Sequence, residues 1–262
     1  MKVVRVFALT ALLGLLLCVP GGAIERFGAF TNGNADSYLI AITFDDGPHP
    51  KYTEQILSIL AEYDVPATFF FIGENVEYYP KIAKAVADAG HEIGNHTQKH
   101  LHVTELSDCE LKQEIETAQN VIRKVTGQSP ALFRPPEGKL TEERSAWIRE
   151  MGLYGVLWNV DTMDWSGVTE EEIIATIMNG TTGGDVILCH DYVCHNSYLP
   201  SALRTIIPAL IKKGYRFVTV SELMCREGYR VQDSKDVAGG ASSVPPSSEG
   251  SSSLASTGGC SL

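Results

Sequence analysis
The sequence predicts an α/β fold: a parallel sheet closed, or nearly closed, into a barrel of seven β/α units. Three observations lead there. Seven short apolar runs rich in β-branched and aromatic residues begin near positions 38, 67, 91, 131, 153, 185 and 215, each bounded by Gly, Pro or Asp. Stretches with apolar residues three and four apart lie between them, as amphipathic helices require. Successive runs start 22 to 40 residues apart, room for one strand and one returning helix, so neighbouring strands run parallel. An open doubly wound sheet satisfies the same periodicity. Either arrangement gathers ligands at the carboxyl ends of its strands.

Taken in order, YLIAITF from Tyr38 is followed by a helix over 52–63 with Ile56, Ile59 and Leu60 on one face. ATFFFI from Ala67 leads into a helix carrying Ile82, Val86 and Ala89. HEIGN from His91 precedes a helix over 107–125, and ALFR from Ala131 precedes one over 141–151. LYGVLWN from Leu153 is followed by 169–178, DVILCH from Asp185 by 197–213, and YRFVTV from Tyr215 ends the series. Thr141 and Thr169, each trailed by glutamates, read as helix starts with acids in the positively polarised first turn.

The ends are composed differently. Lys2 and Arg5 followed by the apolar run Val6–Val19 and small residues to Ala23 read as an export signal over 1–23. The run is shorter than the ~20 residues that span a bilayer, so no stable membrane insertion follows once the signal is cleaved; an uncleaved N-terminal anchor is the alternative. Leu17 before Cys18 is bulky, which argues against lipid attachment. Residues 232–262, dominated by Ser, Gly, Ala and Pro, cannot bury enough surface to order themselves. One domain over 36–228 remains, destined for secretion or the cell surface or wall. Six cysteines without a CxxC pair are no disulfide framework; they read as small buried apolar groups, with at most one bridge through Cys189 or Cys194.

Of the 262 residues, 44% are hydrophobic, enough for a sizeable core, and the net charge of −11 excludes a dedicated nucleic-acid binder. A largely uncharged substrate suits that balance.

Reactive residues fall at the strand ends. Asp45-Asp46-Gly47-Pro48 follows the first strand; alone it reads equally as a turn. His96 and His100 follow the third, and at i and i+4 on a helical turn they face one way and can share a metal. Arg134-Pro135-Pro136-Glu137-Gly138 follows the fourth, Trp158 to Trp165 the fifth, and Leu188-Cys189-His190-Asp191 the sixth. A metal-assisted hydrolase needs carboxylate and imidazole ligands, a base and an acid, and these loops can supply all of them. His49, His91, His102 and His195 lie beside the motifs and read as structural or solvent-facing.

The ordered set TFDDGP (43–48), HTQKH (96–100), RPPEG (134–138), DTMDW (161–165) and LCH (188–190) resembles the NodB-homology polysaccharide deacetylases, carbohydrate esterase family 4, over Tyr38 to Met224. The resemblance implies a distorted (β/α)7 barrel of NodB-homology type. It implies hydrolysis of N-acetyl groups on amino sugars of peptidoglycan- or chitin-like glycans, with a divalent metal, zinc first and cobalt as an alternative. By motif, Asp46, His96 and His100 would be the ligands and Asp45 the general base. Arg134 would hold Asp45 through its opposite charge. His190 would protonate the departing amine, oriented by Asp164, while Trp158, Trp165 and Leu188 would wall the pocket. A backbone N–H of the RPPEG turn would meet the oxyanion. Asp161 and Thr97 read as loop-fixing groups. Many family members carry tyrosine where this chain has Glu137, which brings a carboxylate near the pocket. Two other readings keep the fold: an acetylxylan-type O-deacetylase and a non-catalytic carbohydrate-binding barrel.

Overall fold
The computed structural model describes residues 23–194 and 196–229. The export signal read in 1–23, Ala23 excepted, the tail read in 232–262 and His195 lie outside these described residues.

The described chain opens with an antiparallel hairpin, β1 (Ile24–Arg26) and β2 (Ala29–Asn32), reversed at Phe27 and Gly28, both with positive φ. The repeating pattern then begins: β3 (Leu39–Asp45), α1 (Tyr52–Glu62), β4 (Thr68–Phe71), α2 (Gly73–Tyr78), α3 (Pro80–Asp88) and β5 (Glu92–Asn95). Next come α4 (Asp108–Thr126), β6 (Leu132–Phe133), α5 (Glu142–Glu150), β7 (Tyr154–Gly155) and β8 (Val160–Asp161). The chain closes with α6 (Glu170–Gly180), β9 (Val186–His190), α7 (Leu199–Lys212), β10 (Arg216–Phe217) and α8 (Val220–Arg226). The helix starts are chemically marked: Ser107 with Glu110, and Thr169 with Glu172, form capping boxes, and Thr141 caps α5.

The sheet runs β7-β6-β5-β4-β3-β9-β8 with parallel pairing throughout, and β10 lies beside the first residues of β3. It is a distorted barrel rather than a closed one, since β7 and β8 form its two edges. Phe30 of the hairpin continues the sheet past β7, bridging Val156, while its carbonyl accepts the Leu157 N–H at 2.8 Å. Of the expected strand LYGVLWN (153–159) only β7, Tyr154–Gly155, is strand, and an unexpected short strand, β8, follows it at the opposite edge of the sheet.

Strand alternation sorts the core. On β3, Ile40, Ile42 and Phe44 face the helices, together with Phe69, Phe71 and Ile187. Ala41 faces the barrel interior with Phe70, Leu132, Val156 and Val186, and Val220, Leu223 and Met224 from α8 pack into that cluster. Each such side chain withdrawn from water stabilises the fold by roughly 1.5–3 kcal/mol before entropy is subtracted. By the period of two, Thr43 and Asp45 share the face of Ala41, so the interior turns polar as it approaches the carboxyl ends of the strands. Cys189, Cys194 and Cys225 are free thiols, so the bridge considered for Cys189 or Cys194 is absent; Cys194 and Cys225 are exposed, and among the described residues only Cys189 fills a core position. No helix among the described residues is long and apolar enough to cross a membrane.

Candidate active site
At the end of β3, strand geometry would send Asp45 and Asp46 to opposite faces. Asp46 instead adopts a left-handed φ of 74°, and both carboxylates come within reach of one imidazole. His96 Nε2 lies 3.8 Å from Asp45 Oδ2 and 3.4 Å from Asp46 Oδ1. His100 Nε2 lies 3.4 Å from the same Asp46 oxygen.

The two histidines do not sit on a helical turn, as the HxxxH spacing suggested. Residues 96–100 form an irregular loop in which Thr97 and His100 have φ of 68° and 53°. Asn95 Oδ1 accepts the Thr97 N–H at 2.9 Å, and Thr97 Oγ1 accepts the His100 N–H at 3.0 Å. Those bonds hold both rings toward Asp46. Thr97 thus fixes the loop, and Asp161 does likewise in its own, accepting the Met163 N–H at 2.9 Å.

His96 Nδ1 stands 2.7 Å from the Arg134 carbonyl. A carbonyl only accepts, so Nδ1 carries a proton and Nε2 is the nitrogen turned to the cluster, where its lone pair would ligate a cation. Burial acts against a charged Asp46, but the imidazoles of His96, His190 and His100 around it outweigh that and hold its pKa below the ordinary value. Burial and the neighbouring His96 lower the pKa of His100, which keeps it neutral and able to ligate.

The donor set fits a cation on two grounds. Asp46 Oδ1 is buried and has no hydrogen-bond partner, a costly arrangement unless something else meets it. One ligand atom from each of Asp46, His96 and His100 lies within 4.8 Å of the others. Donors around a tetrahedral zinc at about 2.0–2.1 Å stand roughly 3.4 Å apart, matching the two 3.4 Å separations to Asp46.

Beneath the cluster lies Arg134, fully buried, donating to Asp45 Oδ1 at 2.6 Å and to Thr43 Oγ1 at 2.8 Å. The carbonyls of Val156 and Leu157 accept its other N–H groups, and its guanidinium stacks 4.1 Å from the Phe70 ring centre. One carboxylate oxygen of Asp45 is thereby committed, leaving Oδ2 toward His96.

Register supplies the second titratable pair. Asp45 is opposite His190 in the β3–β9 ladder. His190 Nδ1 bonds Asp164 Oδ1 at 2.8 Å, and the other Asp164 oxygen accepts the His190 N–H, also at 2.8 Å. Thr162 Oγ1 lies 2.9 Å from Asp164 Oδ1. Burial disfavours a charged His190, but the Asp164 hydrogen bond and charge, with Asp45 and Asp46 beyond, push its pKa up to about 9.

Of the proposed pocket walls, Leu188 is buried and Trp165 is half exposed at the surface. The Trp158 ring packs against Gly138, where a Cβ would meet it at 2.9 Å, and stands 5.6 Å from the Arg134 guanidinium. The Glu137 side chain is held by His102, 2.6 Å from its Nδ1, so a histidine read as a bystander ties the loop after His100 to the RPPEG turn. Thr43, Thr162 and Asp191 were missed. Thr43 stands two residues before Asp45, a spacing that alternation on β3 could have flagged; Thr162 and Asp164 lie past the end of β8, where no such pattern applies. Asp191 is fully buried, its carboxyl accepting from Thr53 at 2.5 Å and packing against Gly47.

Comparisons with known proteins converge. A family described as Polysaccharide deacetylase matches residues 32–156. A peptidoglycan-N-acetylglucosamine deacetylase of Bacillus cereus is 43% identical over 188 residues, 71% of this chain and 88% of that protein. The crystal structure of a peptidoglycan N-acetylglucosamine deacetylase in complex with a benzamide-based ligand superposes with a TM-score of 0.72 at 36% identity, covering 74% of this chain and 91% of the other. A family 4 acetyl xylan esterase from Clostridium thermocellum, in complex with a cobalt ion, gives a TM-score of 0.68 at 32% identity, covering 75% and 95%.

Proposed function
Since the chain belongs to the polysaccharide deacetylase family, we propose that it is a secreted, metal-dependent enzyme that hydrolyses the N-acetyl group of amino sugars in peptidoglycan-type glycans and releases acetate. The observation that carries this reading is the cluster of Asp46, His96 and His100 flanked by an aspartate and a histidine that each have their own partner. Residues 36–228 are the catalytic unit in this account.

A divalent cation on those three residues, zinc or cobalt, supplies Lewis acidity, making water a nucleophile near neutral pH and polarising an acyl oxygen. Asp45 Oδ2, the oxygen not engaged by Arg134, accepts the proton of the attacking water. His190, protonated below pH about 9, delivers a proton from Nε2 to the departing amine, because its Nδ1 is taken by Asp164. For the developing oxyanion the 134–138 turn offers one backbone donor. Pro135 and Pro136 have no N–H, that of Arg134 is bonded to Asn95 and that of Gly138 to Pro135, which leaves Glu137. A backbone donor makes the reaction insensitive to the Glu137 side chain, so tyrosine and glutamate are chemically interchangeable there.

An O-deacetylase of acetylated xylan would use the same groups, and the likeness to the acetyl xylan esterase favours keeping it as the second reading. A non-catalytic glycan-binding barrel has no use for a separately oriented base and acid. Mass spectrometry after incubation with N-acetylglucosamine oligomers, peptidoglycan fragments and acetylxylan decides among the three. Acetyl loss from the amino sugars supports the proposal; loss from xylan alone, or from nothing, overturns it.

A further inference from the structure
A cavity of about 420 Å³ borders the Glu137–Gly138 turn, outside the acid–base and cation groups. Leu140, Leu157 and Trp158 give it an apolar lining, and Arg26, Lys139 and Arg144 add three cations. Arg144 is committed to Asp108 at 2.9 Å and to the Val103 and Leu106 carbonyls. Glu137, the one acid on the cavity wall, is engaged with His102. Among the described residues neither Arg26 nor Lys139 pairs with a carboxylate; the Arg26 guanidinium only stacks 5.1 Å from the Phe27 ring centre. Two unpaired cations therefore face one cavity in a chain whose net charge is −11.

That combination is chemically specific. An indole face packs against the apolar face of a pyranose, and an uncommitted guanidinium and ammonium bind carboxylate through charge-assisted hydrogen bonds. A neutral glycan would leave both cations unused. We propose that this cavity is a subsite for a carboxylate borne by the sugar unit adjoining the one that loses its acetyl group, so that the enzyme selects acid-bearing over neutral glycans. This inference rests on the proposed deacetylase function. The carboxylate has two sources in a peptidoglycan-type chain: the ether-linked acid of an unsubstituted muramic unit, or a peptide attached to that acid, whose amide consumes the first carboxylate and supplies another.

The test uses the full-length metal-loaded enzyme and three substrates: a neutral N-acetylglucosamine oligomer, an N-acetylglucosamine–N-acetylmuramic acid oligomer without peptide, and the same oligomer bearing peptide. The readout is kcat/KM for each acid-bearing oligomer relative to the neutral one, in wild type and in Arg26→Gln/Lys139→Gln. The ratio should fall about three- to tenfold in the double variant, mostly through KM, as expected for two partly exposed ion pairs, and rising salt should erode it in the wild type. A fall with the peptide-free oligomer places the carboxylate on the sugar; a fall only with the peptide-bearing one places it on the peptide. Ratios unchanged with both, while acetate is still released, overturn the subsite and leave the function standing. No acetate from any of the three substrates with wild type overturns the function and the subsite together.

Discussion
Asp45 owes its availability to a neighbour that reaches the cation cluster only through its backbone carbonyl, on His96. Arg134 is fully buried and donates to Asp45 at 2.6 Å, so removing it strands a buried carboxylate, which costs roughly 3–5 kcal/mol. Arg134→Met should therefore lower the urea midpoint as well as kcat, whereas Asp45→Asn should lower kcat by about 10²–10⁴ and retain the metal. Metal loss in Asp45→Asn would show that the roles of Asp45 and Asp46 are exchanged. His190 gives a pH signature. Its pKa is raised to about 9 by Asp164 against the effect of burial, so in metal-free protein its contribution to stability is complete below about 6.5 and is lost as pH rises through about 9. Asp164→Asn should flatten that loss in thermal unfolding scans and move the alkaline limb of kcat toward neutral pH. A limb that stays in place would remove His190 as the acid. At this scale the ionisable residues gathered around Asp46 were named from the motifs that carry the family resemblance, Asp191 excepted. Thr43 and Thr162 were not, because a hydroxyl that orients another group has no composition signal of its own.

Elements place these groups through register and caps. Helix α4 starts in a capping box built by Ser107 and Glu110, and Ser107→Ala should cost about 0.5–2 kcal/mol in urea unfolding with little effect on acetate release. The turn after β3 is less forgiving. A Cβ on Gly47 would stand 2.2 Å from the buried Asp191 carboxyl, so Gly47→Ala must displace either that carboxyl or the backbone that carries Asp46. Support of this kind is worth about 10–100-fold in metal affinity; titration calorimetry on the variant should show that loss, and wild-type affinity would mean the turn adjusts without moving Asp46. The main strands and helices were readable from their apolar spacing. Strand β8 was not, because its two residues, Val160 and Asp161, are too few for any alternation to register. Helix α2 spans six largely polar residues, too short for periodicity to register, and the HTQKH loop borrows helical spacing without helical backbone.

Across the whole molecule, the site gathers at the carboxyl ends of the central strands while the other end of the barrel is an apolar plug from α8. His91 sits just before β5, packed against Phe69, with its pKa lowered by burial to about 4. A histidine kept neutral in the fold contributes stability above about pH 6.5 that is lost as pH falls toward 4. His91→Phe should make acid unfolding shallower between those values, and an unchanged acid profile would assign that sensitivity elsewhere. Parallel order, helix return and strand-end chemistry were foreseeable because each follows from spacing; the open edge between β7 and β8 depends on how far the sheet curls, which spacing does not encode. The account as a whole turns on one cation shared by Asp46, His96 and His100. The direct measurement strips the full-length protein with a chelator, then titrates zinc or cobalt while binding heat and acetate release are followed together. The account predicts one equivalent of metal restoring acetate release in wild type, and loss of both signals in Asp46→Ala and His100→Ala. Full acetate release from protein shown to be metal-free, or wild-type metal affinity in both variants, would contradict it.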